Sequence, residues 1–253
     1  FLDKLIKLDG FISFNIFYYA EKYFEEVCIN LNKKFIILHK ESALSPKEEI
    51  YYAEGYKKYN EKSLSYKISV YSESQKQMLI RSKIATKKQI IVNGCPRSDF
   101  SFRMRKIKPD QKIIVFYLIE TKRFIGDKFQ RLLNKSNFTW EKLYNQTLKY
   151  LIEYASNNSE VKVILKGKTG SLYNKDLFIS KILPKNCTFI HGGTGEKFLK
   201  DAKVVIAFNS TIVFETIASN RNLIISNLQK HKNWNDQFDF ILPKNNIKPS
   251  WFG

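Results

Sequence analysis

The stretch Val204-Val205-Ile206-Ala207-Phe208-Asn209-Ser210-Thr211-Ile212-Val213-Phe214-Glu215-Thr216-Ile217-Ala218 runs apolar, breaks at a polar turn, then resumes with helical spacing. The run Val204–Phe208 has the length of a buried strand, Thr211–Ser219 reads as a helix, and Leu223-Ile224-Ile225 returns to a strand. A strand, a helix and a second strand in quick succession form the unit of a parallel sheet. The turn between them also carries chemistry. Ser210 is placed as an N-cap, and the free N–H groups of a helix start attract phosphate. Glu215, one turn further, suits the hydroxyls of a ribose. The same pattern also describes an ordinary capped helix with a surface glutamate.

Working outward, the alternation repeats along the chain. Upstream, strands are expected at Phe11–Phe14, Phe35–Leu38, Ile68–Tyr71, Ile90–Val92, Ile113–Ile119, Val161–Leu165 and Thr188–Ile190. Helices are expected at Asn15–Leu31, from Pro46 to about Tyr59, and at Glu73–Lys83, Thr139–Asn157, Lys175–Ile182 and Glu196–Asp201. The first of these has an apolar face of Phe17, Tyr18, Phe24, Val27, Cys28 and Leu31. The basic, weakly hydrophobic segment Arg103–Gln111, with Pro109 inside it, reads as a linker. Two runs of alternating strands and helices about a linker imply an α/β protein of two Rossmann-like, doubly wound parallel-sheet domains, 1–108 and 109–253, facing each other across a cleft. In open parallel sheets ligands bind beyond the C-terminal strand ends, so residues just after strands carry the most information.

Bulk properties narrow the function classes. The 253 residues are 43% hydrophobic, enough for real cores. The chain opens on Phe1 and ends on Trp251-Phe252-Gly253, which reads as a segment of a longer polypeptide. No apolar run reaches the ~18 residues of a spanning helix, and nothing resembles a cleavable signal. Cys28, Cys95 and Cys187 are scattered and odd in number, which argues against a disulfide framework or zinc knuckle and for a reducing cytoplasm. The net charge of +19 fits an anionic partner, and equally a composition rich in Lys, Asn and Ile together. The lysines are spread over every segment instead of forming the stripe of a nucleic-acid binder.

Four further strand-end motifs stand out. Leu165-Lys166-Gly167-Lys168-Thr169-Gly170 offers two lysines and small residues to a phosphate, although Lys162 stands where a P-loop needs its first glycine. Ile190-His191-Gly192-Gly193-Thr194-Gly195 is a glycine-rich turn without dinucleotide spacing; Gly192 and Gly193 are placed to flank a base or phosphate. His39-Lys40-Glu41-Ser42 sets an imidazole, a cation and a carboxylate at a strand end, where acid–base work is done. Asn93-Gly94-Cys95-Pro96-Arg97-Ser98-Asp99 is a stiff turn presenting Arg97, able to fork onto phosphate or carboxylate, and Asp99, a candidate base or nucleophile. Each of the four also reads as a plain surface turn. No H-E-x-x-H, G-x-S-x-G or metal-spaced carboxylate cluster occurs, so metalloprotease and serine hydrolase chemistry has no support.

Asn93-Gly94-Cys95-Pro96-Arg97-Ser98-Asp99 resembles the G-x-P-R-x-D turn of the CDP-glycerol glycerophosphotransferases and of the bacterial surface-carbohydrate transferases, which include the Kdo transferases of capsule and lipopolysaccharide. Asn209-Ser210-Thr211 with Glu215 resembles the donor-nucleotide helix of the same GT-B-fold enzymes, and Leu38-His39-Lys40-Glu41 a strand-end segment of the surface-carbohydrate group. Many of these relatives carry Lys-x-His-Pro where this chain reads Lys166-Gly167-Lys168-Thr169. The lysine is kept and the His-Pro is not, which moves the resemblance away from glycerophosphate transfer and towards sugar transfer.

The resemblance implies a metal-independent glycosyltransferase without cofactor, moving Kdo or a related acidic sugar from a CMP-activated donor to a glycan or lipid-linked acceptor. It implies a cytoplasmic enzyme at the inner face of the cell membrane, in peripheral contact with anionic lipid and with no nucleic-acid partner. The N-terminal domain would serve the acceptor and the C-terminal domain the donor. Asp99 and Glu41 would be the catalytic carboxylates, in the manner of retaining glycosidases, with His39 beside them. Arg97 would hold a donor carboxylate or phosphate, Lys166, Lys168, Ser210 and Thr211 the CMP phosphate, and Glu215 the ribose, with Lys40, Thr169, Gly192, Gly193 and Asn209 as further substrate- or donor-binding residues. The alternatives are a CDP-glycerol glycerophosphotransferase and, from another class, a basic polyanion- or membrane-binding module.

Overall fold

The computed structural model describes residues 8–16, 19–40, 53, 62–119, 140–168, 183–208 and 210–225, with backbone alone at 19 and 140–142. The described residues belong to two compact units, one ending at Pro96 and the other beginning at Arg97. The helices expected at 46–59 and 175–182 lie outside the described residues.

The first unit contains β1 (Gly10–Ser13), α1 (Tyr19–Asn30), β2 (Lys34–Leu38), β3 (Lys67–Val70), α2 (Glu73–Arg81) and β4 (Ile90–Val92). Its strands are all parallel and lie in the order β1-β2-β3-β4. One face of the sheet buries Phe35, Ile37, Ile68, Val70 and Ile90 against Cys28 of α1 and Met78 and Leu79 of α2. The strand order advances in one direction only, and right-handed crossovers then place successive helices on the same face. Ile12, Leu38 and Ile91, on alternate strand positions, remain exposed. The doubly wound pattern expected for this half is therefore not seen among its described strands.

Two local features show what sets this unit's helices. At the start of α2 the Ser72 hydroxyl accepts from the Gln75 N–H at 3.2 Å, as an N-cap does. The buried Gln75 side chain turns back to accept from the Tyr71 N–H at 3.1 Å. In α1 the expected apolar face is only partly the buried one. Cys28 is fully buried, but Phe24, Val27 and Leu31 stay about half exposed, and Glu25 faces inward. The Ser63 hydroxyl donates to Glu25 at 2.6 Å, so a polar contact across the fold takes a position that periodicity assigns to an apolar side chain.

The second unit contains α3 (Ser98–Arg103), β5 (Ile113–Tyr117), α4 (Trp140–Asn157), β6 (Lys162–Gly167), β7 (Cys187–His191), β8 (Val204–Ala207), α5 (Ile212–Ala218) and β9 (Asn222–Ile225). The sheet is parallel with the order β7-β6-β5-β8-β9. The chain builds outward from β5 through β6 to β7, then returns to lay β8 and β9 on the other side of β5. This is the doubly wound arrangement, with its reversal between β5 and β8. Val115, Val163, Leu165 and Val205 are fully buried at its centre. The rings of Phe116, Tyr144 and Phe208 pack with centroids 5.8–6.0 Å apart. Tyr144, Leu148, Leu151 and Ala155 form the buried stripe of α4 at helical spacing. The Asn186 amide donates to the carbonyls of Ala155, Asn158 and Val161, fixing the end of α4 to the start of β6.

The segment Arg103–Gln111 is not a linker. It continues α3 into a 3-10 turn at Met104–Lys106, with Met104 buried. The buried Arg221 guanidinium donates to the carbonyls of Met104, Ile107, Leu199, Ser219 and Lys200. Arg103, Arg105 and Lys106 give the segment its linker-like composition, yet they are its exposed face, and Arg105 donates from Nε to the Ala218 carbonyl at 2.6 Å. Its Met104 and Ile107 are held through their backbone carbonyls, which composition does not register. The helix expected at 196–201 is likewise a 3-10 turn, Glu196–Leu199.

Candidate functional site

The strand order reverses between β5 and β8, and the C-terminal strand ends at such a reversal are where doubly wound sheets bind ligands. Tyr117 is the last residue of β5 and lies opposite Lys166 of β6 in register. Register partners in a parallel sheet share a face, so both side chains stand on the same side of the sheet. That side is covered by the turn after β7. The Tyr117 hydroxyl donates to the Gly195 carbonyl at 2.7 Å, and the Lys166 ammonium lies 5.7 Å from the centre of the Phe198 ring. Gly195 is needed there: a β-carbon would sit 3.2 Å from Cε1 of Tyr117 and 3.5 Å from Cδ1 of Ile212.

Beside Tyr117 lies a cluster of charge. Arg97, at the start of α3, donates from Nη2 to Oε1 of Glu215 at 2.6 Å, and its Nε lies 3.4 Å from Oε1 of Glu196. Glu215, on α5, is only 3% exposed. Burial raises its pKa, Arg97 opposes that rise, and Glu196 adds to it; the net direction is up. Burial alone lowers the pKa of Arg97, but the two glutamates outweigh it and hold the guanidinium charged. Burial, then Glu215 and Glu196, push the Tyr117 phenol far up, so it stays a neutral donor. The cluster combines one cation and two carboxylates, able to exchange an internal ion pair for an incoming hydroxyl or anion.

The structure distributes the expected site residues unevenly. Arg97 and Glu215, read as contacts to opposite ends of a donor, hold each other. Lys166 is 3% exposed, with its ammonium donating to the Gly167 carbonyl. Burial lowers its pKa, and the nearby Lys197 lowers it further. Lys168 is exposed beyond β6. Gly192 and Gly193 both adopt positive φ, 77° and 74°, which explains the glycines directly. Ser210 is not the N-cap of α5. Thr211 takes that position without a side-chain bond, and the Ser210 carbonyl accepts from the Val213 N–H at 3.1 Å. The first turn is closed through backbone groups, which sequence preference for a capping hydroxyl does not foresee.

Asp99 lies in the first turn of α3, exposed. His39 follows β2 and is 2% exposed; burial lowers its pKa to about 4, against a smaller opposing bond to the backbone of Phe14. It is therefore neutral near pH 7. Lys40 is exposed, its N–H bonded to the Phe14 carbonyl and its own carbonyl accepting from the Tyr71 hydroxyl at 3.2 Å. Glu41, Thr169 and Asn209 lie outside the described residues. Among the described residues there is no cluster of three or more His, Cys, Asp or Glu suited to a metal ion, and no helix long and apolar enough to cross a membrane.

Sequence reasoning missed Tyr117, Glu196, Lys197 and Arg221. Tyr117 was hidden in an apolar run and the two residues of the 3-10 turn in a mixed polar stretch. Their partners lie far off in sequence, Tyr117 with Gly195 and Arg97 with Glu196, and only the strand order brings them together.

Comparison with protein families gives no matching family model, and comparison with curated proteins gives no match. Among solved structures, one similar chain is described as "Crystal structure of GtfA/B complex". It is 12% identical at a TM-score of 0.40, over 91% of this chain and 46% of that one, so this chain spans less than half of its length.

Proposed function

We propose that the protein is a glycosyltransferase whose nucleotide-activated donor sits at the C-terminal ends of β5 and β8. One observation carries this: the strand order β7-β6-β5-β8-β9 reverses at β5/β8, and Tyr117, Arg97, Glu196 and Glu215 gather there. A carboxylate pair balanced by one arginine suits a ribose, because a sugar hydroxyl can take the place of the guanidinium on either glutamate. The donor is CMP-linked and the sugar is Kdo or a related acidic sugar, as the Arg97-Ser98-Asp99 turn and the loss of His-Pro after Lys166 suggest. The acceptor is a glycan or lipid-linked saccharide of bacterial surface polysaccharide, met at the inner membrane face, and transfer needs no metal. Asp99 and Glu41 remain the proposed catalytic carboxylates; the exposure of Asp99 leaves it accessible to substrate.

Thermal-shift titration with CMP, CDP, UDP and GDP tests the donor class, and stabilisation by cytidine nucleotides is expected. Absence of stabilisation by any of the four would overturn the proposal. Product analysis with CMP-Kdo against CDP-glycerol, with and without EDTA, then separates sugar transfer from glycerophosphate transfer. In the productive assay Asp99→Ala is expected to reduce turnover by roughly 10²-fold or more while the protein remains folded.

A further inference from the structure

Lys166 is an unusual residue to bury. It is 3% exposed, and among the described residues no carboxylate pairs with its ammonium group. Its visible compensation is the Gly167 carbonyl at 2.5 Å and the face of Phe198. Burying a cation without an anion costs free energy, so such positions are normally filled by apolar side chains. A second lysine makes the arrangement less favourable still. Lys197 places its own ammonium 5.8 Å from the centre of the same Phe198 ring. The two cations share one aromatic ring, and each raises the positive potential felt by the other.

The backbone beside them is shaped for close approach. A β-carbon on Gly193 would meet Cε and Nζ of Lys197 at 3.6 and 3.7 Å, so the lysine lies along the bare α-carbon of a residue at φ +74°. Lys166 is the penultimate residue of β6, next to β5 in the sheet and one strand from the reversal. Two ammonium groups, an aromatic ring and a glycine turn thus converge with a surplus of positive charge at the strand ends.

We propose that Lys166 and Lys197, arranged around Phe198 and beside Gly193, form a binding site for a phosphate-type oxyanion, which on the function proposed above is the phosphate of the nucleotide donor. The oxyanion supplies a negative charge that no carboxylate among the described residues gives Lys166. It accepts a charge-assisted hydrogen bond from each, and binding is weakened by salt. Phe198 holds the lysine stems apart and limits hydration of Lys166.

Calorimetric titration of the whole chain with inorganic phosphate, pyrophosphate, CMP, CDP and cytidine, at low and high salt, tests the site. Lys197→Gln is expected to weaken CMP and CDP binding by about tenfold, one charge-assisted contact, and to leave cytidine unchanged. Lys162→Gln, at the opposite end of β6, removes the same net charge and is expected to change nothing. Lys166→Met is expected to abolish oxyanion binding while raising the melting temperature of the unliganded protein, since it removes a buried cation. Nucleotide binding unaltered by Lys197→Gln overturns the site, as does a Lys166→Met protein that melts lower and binds normally. Pyrophosphate binding that needs Lys197, without any preference for a nucleotide, upholds the site and overturns the donor function instead. If no anion binds, both fall.

Discussion

Arg97 reaches Glu215 at 2.6 Å across a sequence gap that spans almost the whole second unit, joining the start of α3 to the middle of α5. The carboxylate is buried and the guanidinium about half exposed. Removing the arginine leaves a buried charge with Glu196 as its nearest charged neighbour. Water around Arg97 tempers the loss, so Arg97→Met is expected to cost about 1.5–3 kcal/mol in urea unfolding. Glu215→Gln in that background should recover much of the loss, giving a clear coupling in a double-mutant cycle. The pair also sets a pH dependence. Folding raises the pKa of Glu215, chiefly by burial, so the folded state takes up a proton more readily than the unfolded chain. Its contribution to stability is fullest below the ordinary glutamate value of 4.5 and is lost as pH rises through the folded value. Arg97→Met extends that loss to higher pH, and Glu215→Gln removes it. A flat stability profile across this window in the wild type would sink the assignment.

How far the sequence reveals this site depends on the kind of interaction. The strands β5, β6, β8 and β9 are visible because their apolar runs are local, and the reading from Val204 to Ile225 places strand, turn, helix and strand nearly where they fall. The register of Tyr117 with Lys166 and the reach of Arg97 to Glu196 depend on the order in which strands join the sheet. A pattern read along one chain does not contain that order. Arg221 shows the same limit: its bonds go to carbonyls, which every residue possesses, so nothing in the side chains of Met104 or Ile107 announces them.

His39 offers a clean titration. Burial depresses its pKa from 6.5 to about 4, so it stays mostly uncharged until the pH falls to about 4. The unfolded chain takes up its proton first, and stability present above pH 6.5 is lost as pH falls towards 4. The full loss amounts to roughly 3 kcal/mol. The chain contains only three histidines, so the imidazole resonances can be followed individually by NMR. One of them should titrate with a midpoint near 4 and vanish in His39→Gln. Three midpoints near 6.5 would contradict the burial.

Arg221 ties five backbone carbonyls together, from the 3-10 turns at Met104–Lys106 and Glu196–Leu199 and from the end of α5. Lysine keeps the charge but lacks the planar fork, and it cannot reach carbonyls in several directions. Arg221→Lys is therefore expected to destabilise the second unit by about 3 kcal/mol, from the charged hydrogen bonds lost and the buried carbonyls left open. Hydrogen exchange should show the effect at residues 104–107 and 199–200 first. Protection there equal to wild type would mean the guanidinium does not hold the segment.

Gly195 and Tyr117 are coupled by a hydrogen bond and by space. The tyrosine hydroxyl bonds the Gly195 carbonyl at 2.7 Å, while the glycine's missing side chain leaves room for the ring. A methyl group at position 195 would approach Cε1 of Tyr117 to 3.2 Å, a few tenths closer than comfortable contact. Tyr117 is 8% exposed and hemmed in, so the ring yields little. Gly195→Ala is expected to cost about 1–3 kcal/mol by overpacking. Tyr117→Phe should cost about 1 kcal/mol by losing the hydroxyl bond. If the methyl pushes the ring away, that bond is already weakened, and Tyr117→Phe becomes nearly neutral in the Gly195→Ala background. Tyr117→Leu, which withdraws the ring edge, should make the alanine tolerable. Urea unfolding of the single and paired variants decides the matter: strictly additive losses would mean the two residues do not restrain each other.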